Sequence, residues 1–195
     1  MKKARLSLWI SLSAVVVGGI AFVATSRAGY ETASFELVKK DGSFEIRDYA
    51  GMVVVTTVMK GGEQNGSFGR LFKYISGGNA SEQKIAMTTP VFMPASGDGA
   101  PGEMQFVVPA EVVKAGAPAP ADPSVKLSKM SGGNYAVIRY SGRGTAEDRA
   151  AKLFELLERI TKEGLEAVGD PVYAGYDPPW TPALMRRNEV LLKLK

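Results

Sequence analysis

The chain repeats one order of predicted elements, and this duplication limits its fold more than any other feature. In the first half, about residues 35–108, strands are predicted where apolar and polar residues alternate or where β-branched residues cluster. Asp41-Gly42 predicts a hairpin turn between the first two strands. The predicted strands are Phe35–Lys39, Ser43–Asp48, Met52–Met59, Lys84–Met93 and Met104–Val108.

The predicted helix of this half covers about Asn65–Ile75. Its apolar residues have the i, i+3, i+4, i+7 spacing of one helical face, and they are Phe68, Leu71, Phe72 and Ile75. Gly77-Gly78 follows directly and is typical of a helix end.

The second half, about residues 125–194, has the same order of elements. Its predicted helix, about Ala146–Glu163, follows Thr145, which forms a variant capping box with Asp148. The predicted strands are Val125–Met130, Tyr135–Tyr140, Pro171–Tyr176 and Asn188–Leu194. Apart from the additional strand Phe35–Lys39 at the start of the first half, each half is therefore β-β-α-β-β, and neither has enough apolar area to fold alone.

The sequence thus predicts one α+β domain in which two halves share a core about a pseudo-twofold axis. We expect a mostly antiparallel sheet, open or curled toward a distorted barrel, with the two helices packed on it. Pro109–Pro123 is predicted to be the linker that crosses between the halves.

The first 28 residues predict export from the cytoplasm. Leu6–Ala24 contains no charged residue and follows Lys2, Lys3 and Arg5. A secretory apolar region has about 7–15 residues and a spanning helix needs roughly 20, so both a cleaved signal peptide and an uncleaved membrane anchor are open. A buried core helix would need a polar face, which this segment lacks. Residues 29–195 are therefore expected outside the cytoplasm, either secreted or periplasmic, or held at the membrane.

The basic pI near 9.2 results from this leader and not from the rest of the chain. Residues 1–28 have four basic and no acidic residues, and the remaining chain has 20 of each. A neutral body argues against nucleic acid as a partner.

The chain has no cysteine and no histidine. This excludes disulfides, thiolate nucleophiles, Ser-His-Asp relays, histidine zinc sites and a proximal histidine ligand to heme iron. No paired carboxylates stand together in a predicted loop, so we expect neither catalytic nor metal-binding residues and a protein that is not an enzyme.

Three segments, in order, resemble the SOUL/heme-binding protein family. They are FGRLFKYISGGN at 68–79 with KIAMTTPV at 84–91, PAPADPSV at 118–125, and YDPPWTP with RRNEV at 176–190. The resemblance covers about Tyr30–Leu194. It implies that residues 29–195 form a SOUL-type heme-binding domain with a duplicated α+β fold, which binds heme or other tetrapyrroles. Without histidine, any heme is held without imidazole ligation.

The resemblance places the ligand beside the first helix. Phe68, Leu71 and Phe72 would form an apolar wall, and Lys73 would meet the ligand's carboxylates. The alternative is an ordinary core stripe that faces the sheet. A basic residue of the family's Pro-rich loop falls here near Thr181, which has no charge.

Two further residues are candidates for the same site. Met87 could line the slot or ligate iron weakly, although core packing is the simpler role. Trp180, in a loop stiffened by Pro178-Pro179, could cover the ligand or only one end of the sheet.

A competing hypothesis is a binding module for other flat or cationic amphiphiles. Glu189, at the start of the last predicted strand, could point inward and supply the counter-charge. Arg186 and Arg187 could meet propionates, or pair with Glu189 or Asp177.

Overall fold

The computed structural model describes residues 29–59, 66–97 and 99–195. The predicted signal peptide or anchor, residues 1–28, lies outside these ranges. The described strands are β1 (Glu31–Thr32), β2 (Phe35–Asp41), β3 (Phe44–Tyr49), β4 (Met52–Val58), β5 (Thr88–Thr89), β6 (Val91–Pro94), β7 (Glu103–Val107), β8 (Val125–Met130), β9 (Gly133–Tyr140), β10 (Ala167–Gly175) and β11 (Asn188–Leu194). The helices are α1 (Ser67–Ile75), α2 (Ala110–Ala115) and α3 (Ala146–Lys162), with a 3-10 turn at Ala183–Met185.

Nine strands form one antiparallel sheet in the order β2-β3-β9-β11-β10-β6-β7-β4-β8. The α+β prediction is confirmed, and the sheet is open, with β2 and β8 at its edges, rather than a closed barrel. A separate parallel pair joins β1 to β5. The predicted hairpin at Asp41-Gly42 connects β2 and β3.

The strand order is symmetric about the neighbouring pair β10 and β6. From this centre outward, β11 matches β7, β9 matches β4, and β3 matches β8. The first strands of the two repeats are exchanged, since β3 pairs with β9 and β8 pairs with β4. The β3–β4 and β8–β9 connections therefore cross at close range. A Cβ on Gly132 would lie 2.6 Å from the Tyr49 carbonyl oxygen and 2.7 Å from the Gly51 nitrogen, so only glycine fits there.

The long helices pack on the same face of the sheet, which we call the outer face. Helix α1 lies over β4, β7 and β8, and α3 lies over β9, β10 and β11. The predicted capping box of α3 is present, because Thr145 accepts from the Asp148 N–H and Asp148 accepts from the Thr145 N–H. Leu71 and Tyr74 of α1 and Leu156 and Ile160 of α3 are buried against the sheet.

Helix α2 lies within Pro109–Pro123, the predicted linker between the halves, where no helix was predicted from the sequence. The segment Ala110–Ala115 is helical because Val112 is buried in the same core cluster as α1, and this packing stabilises a short helix that would be marginal alone. Three helices, not two, therefore pack on the sheet.

The other side of the sheet, the inner face, has its own core. Alternate residues of β9 point to opposite faces, so Tyr135 and Val137 lie on the inner face while Ala136 and Ile138 lie on the outer face. The inner core also contains Tyr49, Val54, Phe92, Ala174, Tyr176 and Leu191. In the described ranges, every helix is too short or too polar to cross a membrane.

Candidate functional site

Helix α1 exposes two aromatic rings to solvent. Phe68 and Phe72, one turn apart, are 46% and 50% exposed, and their rings stack with centroids 6.0 Å apart at 14°. Leu71, predicted beside them, is fully buried beneath the helix. The predicted wall therefore divides into an exposed aromatic pair and one core residue. Large apolar groups left exposed and stacked on one helix are a feature of binding surfaces.

Phe68, one member of the aromatic pair, contacts the sheet. Phe68 rests edge-on on Phe106 of β7, at a centroid distance of 5.2 Å. Met104, two residues before Phe106, lies on the same face of β7 because the side-chain period of a strand is two. Phe106 thus connects the aromatic pair to the surface beside Met104.

That surface is concave. A cavity of about 190 Å³, which we call the interhelix cavity, contains Met104 together with residues from β6, β10 and the start of α3. Its lining residues are Met59, Met93, Pro101, Met104, Tyr140, Arg143, Gly144, Arg149, Tyr173, Ala174, Asn188 and Glu189. Thioether and aromatic side chains make an apolar, adaptable floor, and two arginines provide the charge.

The polar groups of the interhelix cavity are ordered. The Arg149 guanidinium lies 5.4 Å from the centre of the Tyr173 ring and donates to the Gly144 carbonyl at 2.6 Å. The Tyr173 hydroxyl donates to the Gly99 carbonyl at 2.9 Å. Burial raises the pKa of Tyr173, and it raises the pKa of Tyr140 to about 12 despite the opposing charge of Arg149. Both phenols are therefore neutral at physiological pH, and neither is a ready phenolate ligand for iron.

Lys73, the predicted partner for the ligand's carboxylates, is exposed and points away from the aromatic pair. Consecutive helix residues are separated by about 100°, so Lys73 lies a quarter turn beyond Phe72. Its charge acts on Asp122, whose pKa is lowered first by hydrogen bonds from Ser124 and then by Lys73 and Arg70. The cations near the interhelix cavity are Arg143 and Arg149, which the sequence analysis missed. The available signal in the sequence was their position beside Gly142 and Gly144, at the start of α3.

Met87 and Trp180 lie apart from the interhelix cavity. Met87 is half-buried and packs against the core beneath α1, which is the simpler of the two roles considered for it. Trp180 is 75% exposed in the loop that follows β10, and no residue of that loop lines the interhelix cavity. None of the predicted residues Phe68, Leu71, Phe72, Lys73, Met87 and Trp180 lines the interhelix cavity itself. Phe68 is connected to it only through Phe106, two residues after Met104.

Glu189 points inward, as predicted, but its charge is already paired. The carboxylate accepts a bidentate pair from Arg47 at 2.8 and 2.9 Å, and also accepts from Arg187 and from the Tyr176 hydroxyl. Glu189 and Arg47 are fully buried, and Glu45 bonds Arg47 from the other side. We call this group the inner-face ion network; its members are Glu45, Arg47, Tyr49, Tyr176, Arg187 and Glu189.

The ion pairing shifts the pKa values of Glu189 and Arg47 so that both groups stay charged. Burial alone would raise the pKa of Glu189, but the hydrogen bonds and charge of Arg47 and the charge of Arg187 outweigh it and hold that pKa below its usual value. Burial would lower the pKa of Arg47, yet Glu189 raises it well above normal. Arg187 forms the predicted ion pair with Glu189 at 2.6 Å, and its backbone N–H donates to the Asp177 carboxylate at 2.7 Å. Arg186 instead donates to carbonyls of its own loop.

A second cavity, of about 330 Å³, lies at the end of the sheet beside α2, and we call it the end cavity. It is mainly apolar and includes Ala33, Met52, Val107, Val113 and Lys114. Across the described ranges, no group of three or more acidic residues is placed to hold a metal ion.

An open, mostly antiparallel sheet with helices packed on it defines an α+β domain. Comparison with known proteins identifies the family. The family model described as SOUL heme-binding protein matches residues 30–193. The chain therefore belongs to the SOUL heme-binding protein family, for which heme binding is the characteristic property.

Two similar proteins have names that agree with this family. The chain is 29% identical over 162 residues to human Heme-binding protein 2, covering 77% of this chain and 78% of that protein. It is 29% identical over 130 residues to bovine Heme-binding protein 1, covering 63% of this chain but only 66% of the bovine protein.

Solved structures share the fold at low identity. A crystal structure of a hydrolase from Listeria innocua has a TM-score of 0.59 and 10% identity, covering 81% of this chain and 94% of that one. The EcmrR C-terminal domain has a TM-score of 0.52 and 11% identity, covering 78% and 96%.

Proposed function

We propose that this protein binds heme or a related tetrapyrrole against the Phe68–Phe72 pair, with one edge of the macrocycle over the interhelix cavity. The observation that carries the proposal is the exposed aromatic stack beside a cavity of methionines and tyrosines, in a chain of the SOUL family. A flat macrocycle would cover both rings and remove them from water, which stabilises the complex.

Arg143 and Arg149 are the cations that suit the ligand's carboxylates. Arg143 is exposed at the rim, and Arg149 is oriented by Tyr173 and Gly144. Guanidinium groups form paired, charge-assisted hydrogen bonds with carboxylates, which would fix the orientation of the macrocycle. Lys73, on another side of α1, contributes little in this arrangement.

The iron itself adds little to the affinity. No histidine exists, both cavity tyrosines are held neutral, and thioethers such as those of Met93 and Met104 are weak ligands. We therefore expect micromolar hemin binding, on the order of −8 kcal/mol, and similar affinity for a metal-free porphyrin with the same carboxylates.

The proposed role is carriage or sequestration without catalysis, outside the cytoplasm. The absence of histidine and cysteine supports a binding protein, because the usual activated nucleophiles and relays need them. The charge-free stretch Leu6–Ala24 behind a basic start supports export, either by a cleaved signal or with retention at the membrane.

The test is an absorption titration with hemin of the wild-type chain and of matched variants. Phe72→Asp places a charge in the stack and should abolish saturable binding. The control is Phe154→Asp, which changes an exposed phenylalanine on α3 instead of α1, and should bind as wild type. Equal binding by both variants would refute the site.

Charge is tested separately. Arg143→Glu should weaken hemin about tenfold and leave an uncharged porphyrin unaffected, since one lost charge-assisted pair is worth roughly 1.5 kcal/mol. Lys73→Glu is the matched control and should change hemin binding much less. Should Lys73→Glu prove the more damaging change, the ligand lies on the other side of α1.

A further inference from the structure

The loop between β10 and β11 exposes two large apolar side chains. Trp180 is 75% exposed and Leu184 is 87% exposed. Leu184 is the most exposed large hydrophobic residue of the described chain, and Trp180 is the next. We call residues 176–187 the Trp180 loop. Neither side chain lines the interhelix cavity, so both are available to another partner.

The Trp180 loop is held in shape from within. Arg186 donates to the carbonyls of Thr181 and Pro179, and Thr181 is buried. The neighbouring Gly142 N–H donates to the Ala183 carbonyl at 3.1 Å. The loop thus forms an ordered protrusion whose polar groups bond internally while Trp180 and Leu184 face outward.

The N-terminal segment lies at the same end of the sheet. The Trp180 loop leaves β10 at Gly175, which pairs with Val91 of β6. β1 is hydrogen-bonded to the residues just before Val91, and Thr32 pairs with Thr89 there. The leader therefore joins the domain within a few residues of the point where this loop departs.

The reach of the chain then brings this end close to a membrane. Glu31 is seven residues after Ala24, the last residue of the charge-free stretch. Seven residues span at most roughly 25 Å. If Leu6–Ala24 is retained in a bilayer, as one form of the proposed function holds, the end of the sheet that carries the Trp180 loop lies within this distance of that bilayer. Tryptophan favours the lipid interface, and the cationic Arg143 and Arg186 beside the loop suit anionic headgroups.

We infer that the Trp180 loop inserts Trp180 and Leu184 into the interface of the bilayer that holds the N-terminal anchor. This inference rests on the proposed membrane retention. It orients the domain with the β1 end of the sheet toward lipid. Arg143, at the rim of the interhelix cavity, lies on the loop next to this contact, so a lipophilic ligand would reach the groove from the membrane surface.

The experiment uses the full chain in vesicles of phosphatidylcholine and phosphatidylglycerol. The chain has two tryptophans, and Trp9→Phe leaves Trp180 as the only one. Lipids brominated near the headgroup end of the acyl chain should quench Trp180 about twofold, with a blue-shifted emission. The reference variant combines Trp9→Phe, Trp180→Phe and Phe154→Trp, which moves the reporter to the exposed face of α3, and should not be quenched.

A carbonate wash of the same vesicles separates the outcomes. If the chain stays with the vesicles but Trp180 is not quenched, the loop inference is overturned and the anchor stands. Quenching of the Phe154→Trp reporter instead would mean that the outer face, not the loop, lies on lipid. Release by carbonate overturns the anchor and this inference together, while hemin titration of the released chain still tests the tetrapyrrole site.

Discussion

Replacing Glu189 by glutamine should destabilise the fold strongly, because Glu189 neutralises buried arginine. Both Glu189 oxygens accept from guanidinium groups, and Arg47 is fully buried. The amide introduced by Glu189→Gln would direct N–H groups at an arginine N–H, leaving Arg47 with only Glu45 as a charged partner. Breaking one partner of a buried pair costs about 3–5 kcal/mol. For a domain of this size, that corresponds to a Tm lower by roughly 6–20 °C.

Thermal and urea denaturation of Glu189→Gln measure this loss. Glu166→Gln, which removes an exposed pair with Lys195, is the matched control and should leave the Tm unchanged. A Glu189→Gln protein that is as stable as wild type, yet no longer binds a lipophilic cation such as a rhodamine dye, would refute the reasoning. Glu189 would then be the counter-charge of the competing hypothesis.

The same substitution has a signature in pH. The pKa of Glu189 is lowered from its ordinary 4.5 in the folded state, so its contribution is complete above about pH 4.5 and is lost as the pH falls toward the lower folded value. The wild type should therefore lose stability below pH 4.5 more steeply than Glu189→Gln. Parallel curves for the two proteins would contradict the assigned pKa direction.

Two further predictions concern packing. Gly132→Ala should lower the free energy of unfolding by at least about 2 kcal/mol, because the new Cβ would lie 2.6 Å from the Tyr49 carbonyl oxygen. Gly97→Ala is the control: its Cβ enters open space, and its Tm should equal that of the wild type. Leu71→Ala should cost about 2–5 kcal/mol in urea denaturation, and Phe72→Ala should cost less than half as much because its ring is half exposed. Equal losses within either pair would contradict the burial that the structure assigns.

Local signals in the sequence predicted the elements well. The hairpin at Asp41-Gly42, the capping box at Thr145 and the helical spacing of Phe68 and Leu71 depend on residues a few positions apart. Their outcomes match the structure.

Long-range pairing was beyond such signals. The exchange of β3 and β8 between the repeats depends on the packing of the whole sheet. The alternation of apolar and polar residues within a strand does not indicate which strand it pairs with. Helix α2 is so short that whether it forms depends on its packing against the core beneath α1. The partner of Glu189, Arg47, lies 142 residues away.

The candidate site was half predictable for the same reason. Spacing on α1 places Phe68 and Phe72 on the helix but does not tell which of its faces meets the sheet, so Leu71 was grouped with them. Arg149 and Tyr173 meet only because α3 packs over β10.

The most direct test of the tetrapyrrole groove is methyl NMR of the methionines during titration with a diamagnetic porphyrin. A bound macrocycle shifts the signals of methyl groups beneath it through its ring current. If the macrocycle lies over the interhelix cavity, the methyl signals of Met59, Met93 and Met104, which line it, should shift. Met130, in the inner core, and Met52, in the end cavity, should not move. Shifts confined to Met52 or Met130, with the interhelix methionines unchanged at saturation, would contradict the groove.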